Sequence, residues 1–251
     1  MLQLRRVDAD FVEEFLPLGD ELLAERIRDT TKLLDGLGVR GAANEWLERM
    51  PWKRALAAAL LGDLLQEGCP RRRVVEIGGG LSALTLLLAE RHDYTLVEMA
   101  SHEAADAYRA VEAATGLSFA QIGEWSVTDV PAAVDVVIAN DIFPNVDQRL
   151  PEFVERFRTG KAELRLSLTY YEDIVFEVER VPSGERLFMK PWGVAEIARW
   201  VASLGDAGAT SCNDLDQIVY SNLEGAVFTN RRNVLLARLD PNAHAHAVGG
   251  A

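Results

Sequence analysis

Residues 74 to 90 read VVEIGGGLSALTLLLAE, and two rhythms meet in them at a run of three glycines. Val74, Val75 and Ile77 form a short apolar, β-branched run, the composition of a buried strand. From Ser82 onward the Leu- and Ala-rich segment SALTLLLAERH has the composition of a helix. Between them Gly78, Gly79 and Gly80 let the chain turn sharply and leave no Cβ in the way of a ligand approaching the backbone. A strand, a glycine turn and a helix point backbone N–H groups and a helix N-terminus at a ligand.

The same alternation continues downstream. YTLVEM reads as a strand, SHEAADAYRAVEAATG as a helix, SFAQIG and AVDVVIAND as strands, RLPEFVERFRT as a helix and AELRLSLTYY as a strand. DIVFEVERVPSGERLFMK alternates like a hairpin around Pro182-Ser183-Gly184, and PWGVAEIARWVASLGDAG is one more amphipathic helix. DQIVYSNLEGAVFTNRRNVLLARL holds two strand-like runs, which suits an antiparallel closing pair at a sheet edge. Strands alternating with helices imply a parallel sheet. The fold expected is therefore α/β, a Rossmann-like doubly wound sheet of seven strands with an antiparallel last strand.

Upstream, residues 1–70 read as a helical appendage. Phe11, Phe15, Leu18, Leu22, Leu23, Ile27, Leu33, Leu34 and Leu37 recur at helical intervals, with an interruption expected at Pro17 and closure at Gly36 and Gly38. A second helix is expected from Asn44, as N-cap, to Gly68, with a break or first-turn position at Pro51. Residues 71–240 then form the Rossmann-like domain and residues 241–251, DPNAHAHAVGGA in context, a disordered tail.

A chain of 251 residues that is 49% hydrophobic can bury one sizeable core. It contains no run of eighteen uncharged apolar residues and no apolar centre of a signal peptide, so a cytoplasmic protein without membrane partners is expected. The net charge of −13 argues against nucleic acid as a partner. The basic clusters Arg71–Arg73 and Arg231–Arg232 flank expected strands and read as gatekeeper charges. Cys69 and Cys212 show no metal spacing and read as ordinary reduced thiols.

Two cofactor classes compete for the glycine turn. Gly78-x-Gly80-x-x-Ala83 matches the dinucleotide fingerprint, and Glu98 lies twenty residues after Gly78 at the end of the next strand. A carboxylate there binds ribose hydroxyls in several cofactor families, so it marks an adenosine moiety and not the reactive half. Glu76 inside the turn would repel a pyrophosphate but can meet the amino group of a methionine moiety. In IGEW, residues 122–125, Glu124 can accept a hydrogen bond from an adenine amino group while Trp125 offers a ring face.

On VVEIGGG, YTLVEM, IGEW and DVVIAND the chain resembles the class I S-adenosylmethionine-dependent methyltransferases over roughly residues 70 to 239. The resemblance implies S-adenosylmethionine as cofactor, with Gly78, Gly79 and Gly80 along its methionine and ribose, Glu98 on the ribose hydroxyls and Glu124 and Trp125 at adenine. It adds Glu76, Ser82, Met99 and Asn140 to the cofactor-binding set. Ser82 stands where many members carry a third glycine.

ANDIFPNVDQRL follows the fourth strand of that domain, and α/β folds put ligands at such strand ends. Asn140-Asp141-Ile142-Phe143 distantly resembles the N-P-P-Y/F signature of amine-modifying methyltransferases, with the first and last positions present. Asp141 and Tyr170 are the catalytic candidates: Asp141 to orient an amine nucleophile or accept its proton, Tyr170 in TYYED at a second substrate-facing edge. Asp141, Glu172 and Asp173 also raise a metal-dependent catechol-type site, against which their reading as solvated turn residues weighs more. Among the histidines, His102 lies nearest the expected pocket. Trp46, Trp52, Lys53 and Arg54 are expected in a lid that excludes water.

Methyl transfer to an oxygen or nitrogen of a small molecule, in specialised metabolism such as antibiotic biosynthesis, is the function expected, with a homodimer or a partner enzyme as company. The alternatives are an elimination or cyclisation on the same fold without the cofactor, a methyltransferase-like subunit of a complex, and last a nicotinamide oxidoreductase.

Overall fold

The computed structural model describes residues 2–100, 102–131, 133–158, 161–171, 176–180, 185–189, 192–204 and 232–240. In chain order these form β1 (Leu2–Arg6), α1 (Ala9–Gly36), α2 (Ala42–Arg49), α3 (Pro51–Leu65), β2 (Arg73–Ile77), α4 (Ala83–Arg91), β3 (Asp93–Glu98), α5 (Ala105–Thr115) and β4 (Ala120–Ile122). They continue as β5 (Val136–Asn140), α6 (Leu150–Arg158), β6 (Glu163–Tyr171), β7 (Phe176–Arg180), β8 (Glu185–Met189), α7 (Val194–Ser203) and β9 (Arg232–Leu239). Seven strands make one sheet in the order β1-β9-β6-β5-β2-β3-β4, and β7 pairs with β8. β2, β3 and β4 run parallel, as do β5 and β6, while β9 is antiparallel to β6. This is the expected doubly wound sheet with its last strand reversed.

The chain divides into two compact units, residues 11–131 with 179–185, and residues 1–10, 132–178 and 186–251. In the first, four of the five residues of β2 are buried, the near-continuous burial that a parallel strand covered on both faces requires. Ser82 caps α4 by accepting from the Thr85 N–H, and Gly116, in the left-handed region at φ 72°, ends α5. In the second unit, β6 is buried along eight of its nine residues and pairs with β9 from Leu164↔Leu239 to Tyr171↔Arg232. Phe143, Phe153 and Phe157 stack in series beside it, with centroids 4.6 Å and 4.9 Å apart.

Several expectations need correction. The appendage does not begin as helix: Leu2–Arg6 is a strand whose five residues pair with Leu239–Leu235 of β9. Alternation of apolar Leu2 and Leu4 with polar Gln3 and Arg5 is a strand signal, short enough to be lost beside the long helical pattern after it. Pro17 does not interrupt α1, which runs unbroken for 28 residues. The reason lies two residues away, where α1 crosses α3 so closely at Gly19 that a Cβ there would stand 2.5 Å from the Arg54 carbonyl oxygen. Close packing of this kind holds the helix through a missing hydrogen bond. The second expected helix breaks at Met50 into α2 and α3, with Pro51 in the first turn of α3, as the reading of Pro51 as a break or first-turn position anticipated. Gly41, not Asn44, is the N-cap of α2.

β7 and β8, the two arms of the hairpin expected around Pro182-Ser183-Gly184, pair with each other, and the expected turn itself lies outside the described residues. The first of the two closing strand-like runs, together with Glu172, Asp173, Cys212 and the tail 241–251, lies outside the described residues. Among the described residues no helix is long and apolar enough to cross a membrane.

Candidate functional site

The first unit carries most of the cofactor candidates. β2 delivers Glu76 two residues before the turn, where its side chain is 2% exposed and accepts a 2.6 Å hydrogen bond from the Tyr94 hydroxyl. Burial pushes the Glu76 carboxyl up to about 7; the Tyr94 hydroxyl pulls it down and the Glu98 charge pushes it further up. The carboxylate lies over the turn: a Cβ on Gly79 would meet Glu76 Cδ at 2.5 Å. Gly78 and Gly80 both take positive φ, 70° and 67°, a conformation that glycine adopts without strain.

β3 delivers Glu98 from the neighbouring strand end. Its Oε2 accepts from the Gly80 N–H at 3.2 Å, and the nearby Met99 and Ala100 N–H dipoles also favour its charged form. Burial raises its pKa, with those donors opposing and the Glu103 charge adding to the rise. Glu103, 6% exposed, accepts from the Ala42 N–H at 2.8 Å and from the Tyr108 hydroxyl at 3.5 Å. Three buried carboxylates thus gather around one turn, and the charges acting on Glu76 and Glu98 are each other's kind. Desolvated anions of one sign are stabilised by a cation, or by hydroxyl and ammonium donors, placed among them.

The turn is also braced from the helix side. The Thr85 hydroxyl donates to the Gly80 carbonyl at 2.6 Å, and the Ala83 N–H, first of α4, donates to Asn44 Oδ1 at 3.0 Å. Ser82 is 2% exposed and serves as the cap of α4. Beyond β4, Glu124 is half-buried and accepts from the Ser126 hydroxyl at 2.7 Å and Trp125 is only 4% exposed, while Met99, just after β3, is exposed. Burial leaves Trp125 less ring face for a ligand than its sequence position suggests. The Trp46 and His102 rings meet edge to face at 5.2 Å, and Lys53 lies over the rings of both Trp46 and Trp52.

The remaining candidates belong to the second unit. Asn140 ends β5 and its Oδ1 accepts from the Ser167 hydroxyl at 2.6 Å. Asp141 follows at φ 63°, a left-handed conformation that Asp tolerates better than most residues. Its N–H donates to Ser167 Oγ at 2.8 Å, and its Oδ1 accepts from the Thr169 hydroxyl at 2.6 Å and from Arg232 Nη2 at 2.5 Å. The ion pair with Arg232 and the Thr169 hydrogen bond share one carboxylate oxygen, Oδ1. Tyr170 is fully buried on β6, and burial pushes its hydroxyl up to about 12.

Sequence reasoning missed Asn44, Tyr94, Glu103 and Arg232 as members of these clusters. Asn44 at a helix start carries the signature of a cap, which masks its bond to Ala83. Tyr94 alternates within β3 like any core residue, and Arg232 was absorbed into a gatekeeper pair. Glu103 had one signal, an acidic residue in the loop after the second parallel strand.

No protein-family model matches the chain, and no curated protein sequence does. Among solved structures the chain is similar to the DhpI–SAH complex, at a TM-score of 0.45 and 16% identity over 79% of this chain and 92% of that one. It is similar to magnesium protoporphyrin IX methyltransferase (ChlM) from Synechocystis PCC 6803 with bound SAM, at 0.45 and 10% identity over 77% and 83%. A third is the glycopeptide N-methyltransferase MtfA, at 0.41 and 13% identity over 74% and 90%. These similarities concern the backbone fold.

Proposed function

We propose that the protein is an S-adenosylmethionine-dependent methyltransferase whose cofactor lies on the glycine turn of the first unit. The observation that carries this reading is the gathering of Glu76, Glu98 and Glu103, all buried, around a turn of Gly78, Gly79 and Gly80. A dinucleotide would bring a pyrophosphate to a turn already covered by the Glu76 carboxylate, two like charges in a low-dielectric setting. A ligand with an ammonium group, a sulfonium and a ribose diol offers donors and positive charge instead, and the donor set fits it.

Bound there, the cofactor supplies an activated methyl group on a positively charged sulfur. Glu98 would accept from the ribose hydroxyls, with the Gly80 N–H holding its carboxylate in place. Glu76, deprotonated, meets the ammonium group, with the Tyr94 hydroxyl fixing its orientation. Glu124 accepts from the adenine amino group. The chain's own work is positioning, which supplies much of the acceleration when the electrophile is already activated.

The acceptor is an oxygen or nitrogen of a small molecule, in a specialised biosynthetic setting. Asp141, whose carboxylate is fixed by the Thr169 hydroxyl and Arg232, is the residue assigned to orient the amine or hydroxyl nucleophile, leaving proton removal to solvent. Thermal unfolding with S-adenosylmethionine, S-adenosylhomocysteine and reduced nicotinamide dinucleotide tests the reading. Stabilisation by the first two and none by the third is expected; stabilisation by the dinucleotide alone would overturn it.

A further inference from the structure

Three consecutive residues at the start of α2 reach three separate parts of the turn region. The Ala42 N–H donates to Glu103 in the loop after β3. Ala43 lies against the turn itself, since a Cβ on Gly80 would stand 2.8 Å from the Ala43 methyl. Asn44 Oδ1 accepts from the Ala83 N–H of α4, while its Nδ2 donates to the Ile27 carbonyl at 3.3 Å and to the Thr31 hydroxyl at 3.0 Å, both on α1. Asn44 is 2% exposed, and Gly41 before it stands at φ 62°, with the Leu34 side chain packed where its Cβ would go.

The first N–H groups of a helix have no partner within it. In α4 two of them are taken up by side chains, Thr85 N–H by Ser82 and Ala83 N–H by Asn44. The second of these partners comes from the helical layer, 39 residues away in sequence. Its amide is fully used: the oxygen on α4, the nitrogen on α1. A side chain that bonds in both directions while buried fixes the spacing of the two elements it joins.

We propose that Asn44 is a positioning residue for the cofactor turn, so that the α1–α2 layer is a built part of the cofactor site and not only a cover over it. The proposal rests on the methyltransferase reading for the ligand, but its geometric half does not. Without the Asn44 carboxamide, the Ala83 N–H is left unsatisfied in a buried place and the start of α4 is free to shift. Gly80, which carries the Glu98 contact, then loses its fixed place beside Ala43.

Amide hydrogen exchange over residues 80–85 and calorimetric titration with S-adenosylmethionine test this on the full chain. Asn44→Ala is compared with Val154→Ala, a buried truncation on α6 in the other unit. Faster exchange at 80–85 and roughly tenfold weaker cofactor binding are expected for Asn44→Ala, with neither change in Val154→Ala at matched global stability. Exchange at the turn as slow in Asn44→Ala as in Val154→Ala would overturn the proposal. Should Asn44→Ala fail to fold, Thr31→Val removes one of the two bonds from Asn44 to α1, leaving that to the Ile27 carbonyl, and is expected to shift both readouts in the same direction by a smaller amount. A wild-type chain that binds no S-adenosylmethionine would sink the cofactor reading, and the exchange result alone would then decide for or against Asn44.

Discussion

Glu76 is held in a balance that its surroundings set against ionisation. Burial moves its pKa from 4.5 to about 7. A carboxyl with a raised folded-state pKa is still protonated in the folded chain where the unfolded chain has already ionised. Stability therefore falls as pH rises from about 4.5 to about 7 and is level beyond, a loss on the order of 3 kcal/mol for this one group. Glu76→Gln, which cannot ionise, is expected to match the wild type near pH 4.5 and to exceed its stability at pH 8 in denaturant titrations, while losing cofactor affinity. Equal stability of the two chains at pH 8 would contradict the burial argument. Gly80→Ala tests the turn: at φ 67° a Cβ costs about 1–2 kcal/mol and would press on Ala43, so both thermal stability and cofactor binding should drop.

At the scale of elements, the strand most easily overlooked closes an edge. β1 covers Leu235–Leu239 of β9, a segment with Ala237 fully buried and Leu235 likewise. Deleting residues 1–6 uncovers that row of backbone donors and acceptors, and an uncovered apolar edge pairs with other chains. Light scattering of the truncated chain is expected to show association or precipitation at concentrations where the full chain stays dispersed; an unchanged monodisperse solution would count against the assignment of β1. This strand also shows why the sequence was legible only in part. β2, α4 and β3 were readable because continuous β-branched runs and glycine punctuation are local signals. The unbroken course of α1 through Pro17 depends on Gly19 meeting α3, and the place of β1 depends on a partner more than two hundred residues away, neither of which a local window contains. The candidate site divides the same way: Glu76, Glu98 and the glycines follow from spacing along the chain, whereas Asn44, Glu103 and Arg232 enter through contacts between distant segments.

For the whole molecule, a net charge of −13 and three carboxylates buried at one turn both favour a ligand with positive charge. A ligand that binds only the folded chain stabilises it by about 2.7 kcal/mol at a hundred times its dissociation constant, which offsets most of what the Glu76 ionisation costs. The apo protein at neutral pH is thus destabilised at the place where the cofactor would restore stability. The most direct test is a calorimetric titration of the purified chain with S-adenosylmethionine, run beside Glu98→Ala. Binding in the micromolar range that is lost in Glu98→Ala is the predicted result. A folded wild-type chain that gives no heat of binding, or a Glu98→Ala variant that binds as well as the wild type, would contradict the assignment of the glycine turn as the cofactor site.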